Sequence, residues 1–175
     1  TKPSNIAKRI DNLKGDVDAG FKQAEIVVER HYTTQAVHQG YIEPHATLAS
    51  AAEDGQVQLW STTQGHFQVR GFCSRLLNIE TSQIRVTATE IGGGFGGKTV
   101  VYLEPIAIRL SQKSGKPVKM VMTRDEVFRA SGPAPGGTVH VKIGAKKDGT
   151  ITAASATLRY QGGPFLGIWA EIGAM

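Results

Sequence analysis

The sequence predicts an α+β fold built from mixed and antiparallel β-sheets with two main helices. Three observations lead there. Short runs rich in β-branched residues recur along the 175-residue chain. Two longer stretches space their apolar residues as helices do. Two Asp-Gly pairs stand between strand-like runs, where antiparallel hairpins turn, and regular strand–helix–strand alternation is missing.

Residues 1–14 are polar and basic, and are expected to form an arm or linker. Lys14-Gly15-Asp16 is turn chemistry, and Asp16 can cap a short helix running to Ala24. Residues 25–32 form the first predicted strand. Residues 45–52 and 57–62 are two more, joined by the hairpin chemistry of Glu53-Asp54-Gly55. The first main helix is expected over residues 64–77, capped by Ser61 or Thr62, with Phe67, Phe72, Leu76 and Leu77 as apolar positions. Residues 84–91 alternate as a strand does. The second main helix is expected over residues 99–114. Pro105 must kink it or move its start to about Glu104, and Gly115, with Pro117 beyond, ends it. Residues 118–122 are a strand, and Arg124-Asp125-Glu126 is expected as a salt-bridge cluster at its end. Residues 131–137 are a loop. Residues 139–145 and 151–160 form a hairpin turning at Asp148-Gly149. The organisation expected is one partial domain over residues 1–175: the arm, a subdomain over 15–130, and a hairpin-containing segment from 131 on.

Composition narrows the function. The chain is 40% hydrophobic and 20% charged, ordinary for a soluble globular protein, and carries a net charge of +5. That charge is too mild and too scattered to argue for a nucleic-acid partner; it suits solubility or an anionic cofactor. One cysteine, Cys73, excludes an internal disulfide, a Cys-x-x-Cys metal site and an iron–sulfur cluster held by this chain alone. A reducing cytoplasm is the compartment expected. No apolar run approaches the ~18 residues of a membrane span, and no export signal is read. The chain opens at Thr1 without a Met, which suits an excised piece of a longer protein.

Glycine is the outlier, with 21 residues against an average of about 7%. Five of them fall in Gly92-Gly93-Gly94-Phe95-Gly96-Gly97, ahead of Lys98. A strand, a glycine loop and then a helix form an anion site, because the glycines let N–H groups turn inward and a helix start adds partial positive charge. A glycine-rich turn serving only tight packing is the plain alternative. Gly92-x4-Gly97-Lys98-Thr99 also satisfies the phosphate-loop pattern of nucleotide hydrolases, down to a threonine for magnesium. Against that stand the hairpins where a parallel sheet is needed, the lack of a clean second acidic strand end before Asp125, and Pro105 in the receiving helix.

Read as a whole, residues 91–98 resemble the Gly-Gly-Gly-Phe-Gly-Gly-Lys segment of the xanthine dehydrogenase and aldehyde oxidase family. The flanks agree in order. Tyr41-Ile42-Glu43-Pro44-His45 resembles the family's Leu-Glu-Pro/Thr-His element, and Trp60-Ser61-Thr62-Thr63-Gln64 its Ser-Thr-Gln element. Lys116-Pro117-Val118-Lys119 and Thr123-Arg124-Asp125-Glu126 resemble its Gly-Arg-Pro-Val and Arg-Asp-Glu stretches. The match runs from about Lys14 to about Gly163.

The resemblance implies a fragment of the molybdenum-cofactor-binding catalytic subunit of a hydroxylase that oxidises aldehydes, N-heterocycles or carbon monoxide with water-derived oxygen. It implies a molybdenum–pterin cofactor, as molybdopterin or its cytosine dinucleotide, with molybdenum held by the pterin and by no protein ligand. It also implies 2Fe-2S clusters and FAD on partner chains. Carried over by residue, Gln64 matches a glutamine that hydrogen-bonds an oxo ligand of molybdenum, a role suited to an amide donor; an exposed glutamine at a helix start is the alternative. Gly92, Gly93, Gly94, Phe95, Gly96 and Gly97 match the cofactor loop, with Phe95 shaping the substrate pocket. Xanthine-oxidising members place a glutamate after the lysine, where this chain has Thr99, which argues against a purine.

Elsewhere, His31, His38 and His45 recur by sevens, His66 and His140 stand alone, and no zinc site is expected from them. Glu43 is expected to pair internally or to serve as a buried structural acid, His45 to be packed or to support residues at the site, and Cys73 to be a buried inert thiol. Trp60, Phe165 and Trp169 are expected in a core or an interface. The family's catalytic glutamate and substrate-binding arginine fall beyond Met175. Supplied with cofactor alone, this chain is therefore predicted to show no turnover in a substrate-oxidation assay; measurable turnover refutes it.

Overall fold

The structure, a computed structural model, describes residues 4–163; the expectations for Phe165 and Trp169 lie outside the described residues. Within that range the chain falls into two compact units, one joining residues 4–37 to residues 135–163 and the other spanning His38–Ala134.

In the first unit, helix α1 (Val17–Lys22) starts as expected, with the Asp16 carboxylate accepting from Ala19 N–H at 2.9 Å. Strand β1 (Ile26–Thr34) pairs antiparallel with β6 (Gly137–Ala145), which pairs antiparallel with β7 (Ile151–Tyr160), giving the order β1-β6-β7. The β6–β7 hairpin turns at Asp148-Gly149 as predicted: Asp148 accepts from Thr150 N–H, and Gly149 holds φ of +90°. The β1–β6 pairing crosses the sequence boundary at residues 130 and 131. Helix α1 packs on β7 so closely that a Cβ on Gly20 would lie 2.4 Å from the Thr152 carbonyl oxygen.

The second unit is a mixed four-stranded sheet with two helices against it. Its order is β4-β3-β2-β5, from β2 (Ala46–Ala51), β3 (Val57–Ser61), β4 (Ile84–Ala88) and β5 (Val118–Val121). The β3–β4 pair is parallel and the others antiparallel. Helix α2 (His66–Leu77) is the crossover from β3 to β4, and α3 (Glu104–Ser114) packs on β2. Between helices and sheet lies a core of Ala49, Val57, Leu59, Val69, Cys73, Leu77, Ile84, Ala107 and Ile108. Cys73 is as inert as expected: burial, with the Glu104 charge next, pushes its thiol up to about 12.

Two local expectations need correction, and one alternative is decided. Helix α2 starts at His66 with Gly65 as its cap, and neither Ser61 nor Thr62 caps it. Ser61 instead donates to Glu104 at 2.6 Å, and Thr62 accepts from Ala46 N–H. Its buried face is Val69, Cys73 and Leu77, while Phe67 and Leu76 are exposed. Of the two outcomes expected at Pro105, the second holds: helix α3 starts at Glu104, and Pro105 sits in its first turn, where a missing N–H costs nothing. Residues 124–126 are no strand-end cluster. They open helix α4 (Arg124–Ala130), where Thr123 and Glu126 form a reciprocal capping box. No helix among the described residues is long and apolar enough to cross a membrane.

Two glycines separate packing from propensity. Gly20→Ala is predicted to destabilise the chain by about 1–3 kcal/mol through overpacking against β7. Gly71, inside α2, has nothing within 4 Å of a built Cβ, so Gly71→Ala is predicted to stabilise by about 0.4–1 kcal/mol. Urea denaturation of both variants checks the pair of opposite signs.

Candidate functional site

Strand direction explains why residues far apart in sequence meet. Strands β3 and β4 are parallel, β2 opposes β3, and β5 opposes β2. The C-terminal ends of β3, β4 and β5 and the N-terminal end of β2 therefore share one sheet edge. Residues 41–45 enter at that edge; residues 62–65, 89–99 and 122–123 leave from it. Backbone bonds tie them there, with Glu43 N–H to Gly92 O at 3.2 Å, Gln64 N–H to Lys98 O at 2.8 Å and Met122 N–H to His45 O at 2.9 Å. Arg124 also donates to the carbonyl of Ile42.

The glycine loop is a turn with a defined shape. Gly94 O accepts from Gly97 N–H at 2.8 Å. The two residues between them have positive φ, +50° at Phe95 and +87° at Gly96, the sign pattern of a type I′ turn. Phe95 is 74% exposed. Gly94 is required by close approach, since a Cβ there would lie 2.5 Å from Gln64 Oε1.

Gln64 is brought against this loop. Its Oε1 accepts from Gly96 N–H at 3.0 Å and from Lys98 N–H at 3.2 Å. Only the oxygen end of an amide can face two N–H donors, so the assignment of the two ends is settled and Nε2 points away from Gly96 and Lys98. Thr63 supports the segment by donating to Lys98 O and accepting from Gly65 N–H, both at 3.0 Å.

Lys98 is the centre of the arrangement. Its side chain is fully buried, with Nζ 2.7 Å from Glu43 Oε2 and 5.0 Å from the centre of the Tyr41 ring. The same Glu43 oxygen accepts Gly92 N–H at 2.7 Å. Burial alone would raise the Glu43 carboxyl, but the bonds from Lys98 and Gly92 outweigh it and hold it below its ordinary value. Below the pair, the Tyr41 hydroxyl lies 2.7 Å from His45 Nε2 and 3.1 Å from Ser131 Oγ. Burial, with the Lys98 charge beside it, holds the His45 imidazole down at about 4 and therefore neutral.

This geometry removes the phosphate-loop reading. The lysine that should reach a phosphate is sealed in an ion pair, and Thr99 donates to Gly96 O at 2.8 Å where it should meet magnesium. Residues 99–103 also separate the loop from α3, so the helix that follows the loop does not start on it.

Gln64 and Gly92 to Gly97 are thus gathered at one edge. Glu43 pairs internally, one of its two expected roles; sequence reasoning missed Lys98 as its partner, and Gln39, whose Oε1 is buried without a partner among the described residues. Gln39 lies against the loop: a Cβ on Gly97 would be 3.1 Å from its Cδ. Thr63-x-Gly65 was a readable turn signal. No local pattern announces a pairing across 55 residues.

Comparison with known proteins places the chain in a family. A family model described as Molybdopterin cofactor-binding domain matches residues 1–173. The chain belongs to that family. It is 37% identical over 139 residues to the nicotinate dehydrogenase large molybdopterin subunit of Eubacterium barkeri, which covers 79% of this chain and 33% of the relative. It is 34% identical over 161 residues to the probable hypoxanthine oxidase of Escherichia coli K12, covering 92% of this chain and 17% of that protein. Among solved structures, CO dehydrogenase from Oligotropha carboxidovorans matches with a TM-score of 0.64 and 32% identity, over 81% of this chain and 18% of its own. The aldehyde oxidoreductase of Desulfovibrio gigas reaches 0.71 at 24% identity, over 83% of this chain and 16% of its own, a likeness of fold. The chain thus spans a third or less of the length of these relatives.

If Lys98 and Glu43 set the loop, removing them must be non-additive. Glu43→Gln strands a buried amine and is predicted to cost about 3 kcal/mol or more. Lys98→Met leaves a carboxylate that keeps Gly92 N–H, and is predicted to cost less. Combining them should recover stability relative to Glu43→Gln, as a double-mutant cycle by chemical denaturation would show.

Proposed function

We propose that this chain is part of the molybdenum-cofactor-binding subunit of an oxidoreductase, with both units belonging to one larger cofactor-binding domain. The observation that carries the reading is the Gln64 amide: its oxygen is fixed by Gly96 and Lys98, which leaves its NH2 group free to donate. The N–H groups of Gly93, Gly94 and Phe95 donate to no described residue. Four donor groups at one edge suit an oxygen-rich ligand. The buried Gln39 Oε1 adds an acceptor for which a pterin N–H is a fitting donor. These residues fit a molybdenum–pterin group, with molybdopterin or its cytosine dinucleotide as the form.

When bound, the cofactor supplies the two-electron redox chemistry of inserting water-derived oxygen into a substrate. The chain's residues position it. Gln64 and Gly92, Gly93, Gly94, Gly96 and Gly97 hold and orient it, and exposed Phe95 borders the substrate. Thr99 is buried and bonded to the loop, so it offers no group to a purine. An aldehyde or another N-heterocycle is therefore the substrate class proposed, with carbon monoxide as the third member. Relatives described as subunits support an assembly with iron–sulfur and FAD chains to carry electrons away, and the lone buried cysteine suits the cytoplasm.

The test is made on the full-length protein purified from its own host. Molybdenum and pterin should be found in equal amounts. Gln64→Leu should lower turnover about ten- to hundredfold, the cost of one hydrogen bond to a charged group, and should also lower the pterin retained after gel filtration. A protein free of both molybdenum and pterin would end this reading.

A further inference from the structure

The first unit carries a second cluster of chemistry-bearing side chains that the cofactor site does not use. Antiparallel pairing sets His31 directly opposite His140 and Glu29 opposite Lys142. Side chains alternate along a strand, so Glu29 and His31 share a face of the sheet with His140 and Lys142. The two imidazole rings stack with centroids 3.9 Å apart and planes within 4°. Glu29 Oε1 is 2.6 Å from His140 Nε2. One ligand-type atom from each of the three residues lies within 4.8 Å of the other two. A pocket of about 210 Å³ opens beside them, lined by both histidines, Thr138, Thr157 and Arg159 among others.

We propose that Glu29, His31 and His140 form a binding site for a divalent transition-metal ion of the zinc class, which clips β1 to β6. Two imidazoles and one carboxylate are a ligand set for zinc and its neighbours, whereas magnesium and calcium take oxygen. Bonds of about 2.0–2.1 Å to a tetrahedral ion put ligand atoms about 3.3 Å apart. The observed spread of up to 4.8 Å closes to that by side-chain rotation, because all three groups stand at the surface or partly so. The Glu29–His140 hydrogen bond is exchanged for two bonds to the metal. Three ligands leave a fourth position for water or an anion, and Arg159 beside the pocket suits an anion. Lys142 Nζ, 3.7 Å from Glu29 Oε2, is the competing cation. Because 109 residues separate His31 from His140 in the chain, as their numbers show, the ion would close a long loop and favour the folded state.

The expectation of no zinc site compared histidines along the chain by spacing, and spacing places His31 with His38 and His45. The sheet register instead places it with His140.

The test uses the full chain, stripped with a chelator and titrated with zinc chloride while histidine side-chain resonances are followed by NMR. The resonances of His31 and His140 should move together and saturate at one zinc per chain, while those of His38, His45 and His66 stay in place. In competition with a chromophoric chelator, His31→Gln and His140→Gln should each weaken binding at least about a hundredfold. Loss of a mere supporting partner of a ligand already costs ten- to a hundredfold. Lys142→Met, which removes the competing cation, should tighten binding, and His66→Ala should leave it unchanged. The proposal is overturned if the His31 and His140 resonances do not respond short of zinc precipitation, or if both histidine variants keep the parent affinity. Should a variant fail to fold, the titration of the unaltered chain decides alone.

Discussion

A buried lysine paired to a single carboxylate organises the candidate site at one edge of the sheet. An amine out of water is tolerated only when its charge is met, and among the described residues Glu43 is the one carboxylate that meets that of Lys98 at salt-bridge distance. The pair fixes more than itself. Glu43 also receives the N–H at the start of the glycine loop, and Lys98 gives its own N–H and carbonyl to Gln64 at the loop's end. Three segments distant in sequence, 41–45, 62–65 and 92–99, are thereby locked through two side chains. The loop is glycine-rich yet held at both ends, which is the condition for presenting backbone donors in one arrangement.

The sheet makes that lock possible. Four strands direct their connections to one edge because β3 and β4 are parallel, β2 runs against β3 and β5 runs against β2. Helices α2 and α3 cover a face of the sheet, and α4 follows β5 at this edge, where its Val127 packs with Tyr41 and Met122. It is the division of labour familiar in sheets with parallel neighbours, in which rigid strands set positions and the loops beyond their carboxyl ends carry chemistry. The neutral His45, bonded to Tyr41 beneath the ion pair, keeps a second positive charge away from Lys98.

What could be read from the sequence was whatever local chemistry decides. The Asp16 cap, the Asp54-Gly55 and Asp148-Gly149 turns, the Gly115 helix end and the start of α3 near Pro105 each depend on a few adjacent residues, and each is found in place. Helix α2 shows where this stops. Its buried stripe of Val69, Cys73 and Leu77 is set by the sheet beneath it, while the bulkier Phe67 stands in solvent. Helix α4 was readable through Thr123-x-x-Glu126, a signal obscured by taking the charges as a cluster. Of the site, the glycine loop and Gln64 stood out by motif. The partners that hold them, Lys98 with Glu43, depend on the sheet edge, and register likewise joins Glu29 and His31 to His140. Pairings of that kind follow from topology, which no spacing rule encodes.

Phe95 shows how far the edge departs from what folding alone favours. A residue with a Cβ held at φ of +50° costs about 1–3 kcal/mol, and an exposed aromatic ring regains none of it by burial. Glycine at that position would relieve the strain, and the surrounding loop is otherwise glycine. The conformation persists because the turn from Gly94 to Gly97 is clamped from outside by Gln64, Thr99 and the Lys98–Glu43 pair. A strained, unburied aromatic on an overdetermined turn is suited to contact with the proposed cofactor or its substrate. The N–H groups of Gly93, Gly94 and Phe95 donate to no described residue, and at buried Gly94 such a donor is costly until a ligand meets it. Strain at Phe95 and the unmet donor at Gly94 are the costs that the proposed cofactor would offset.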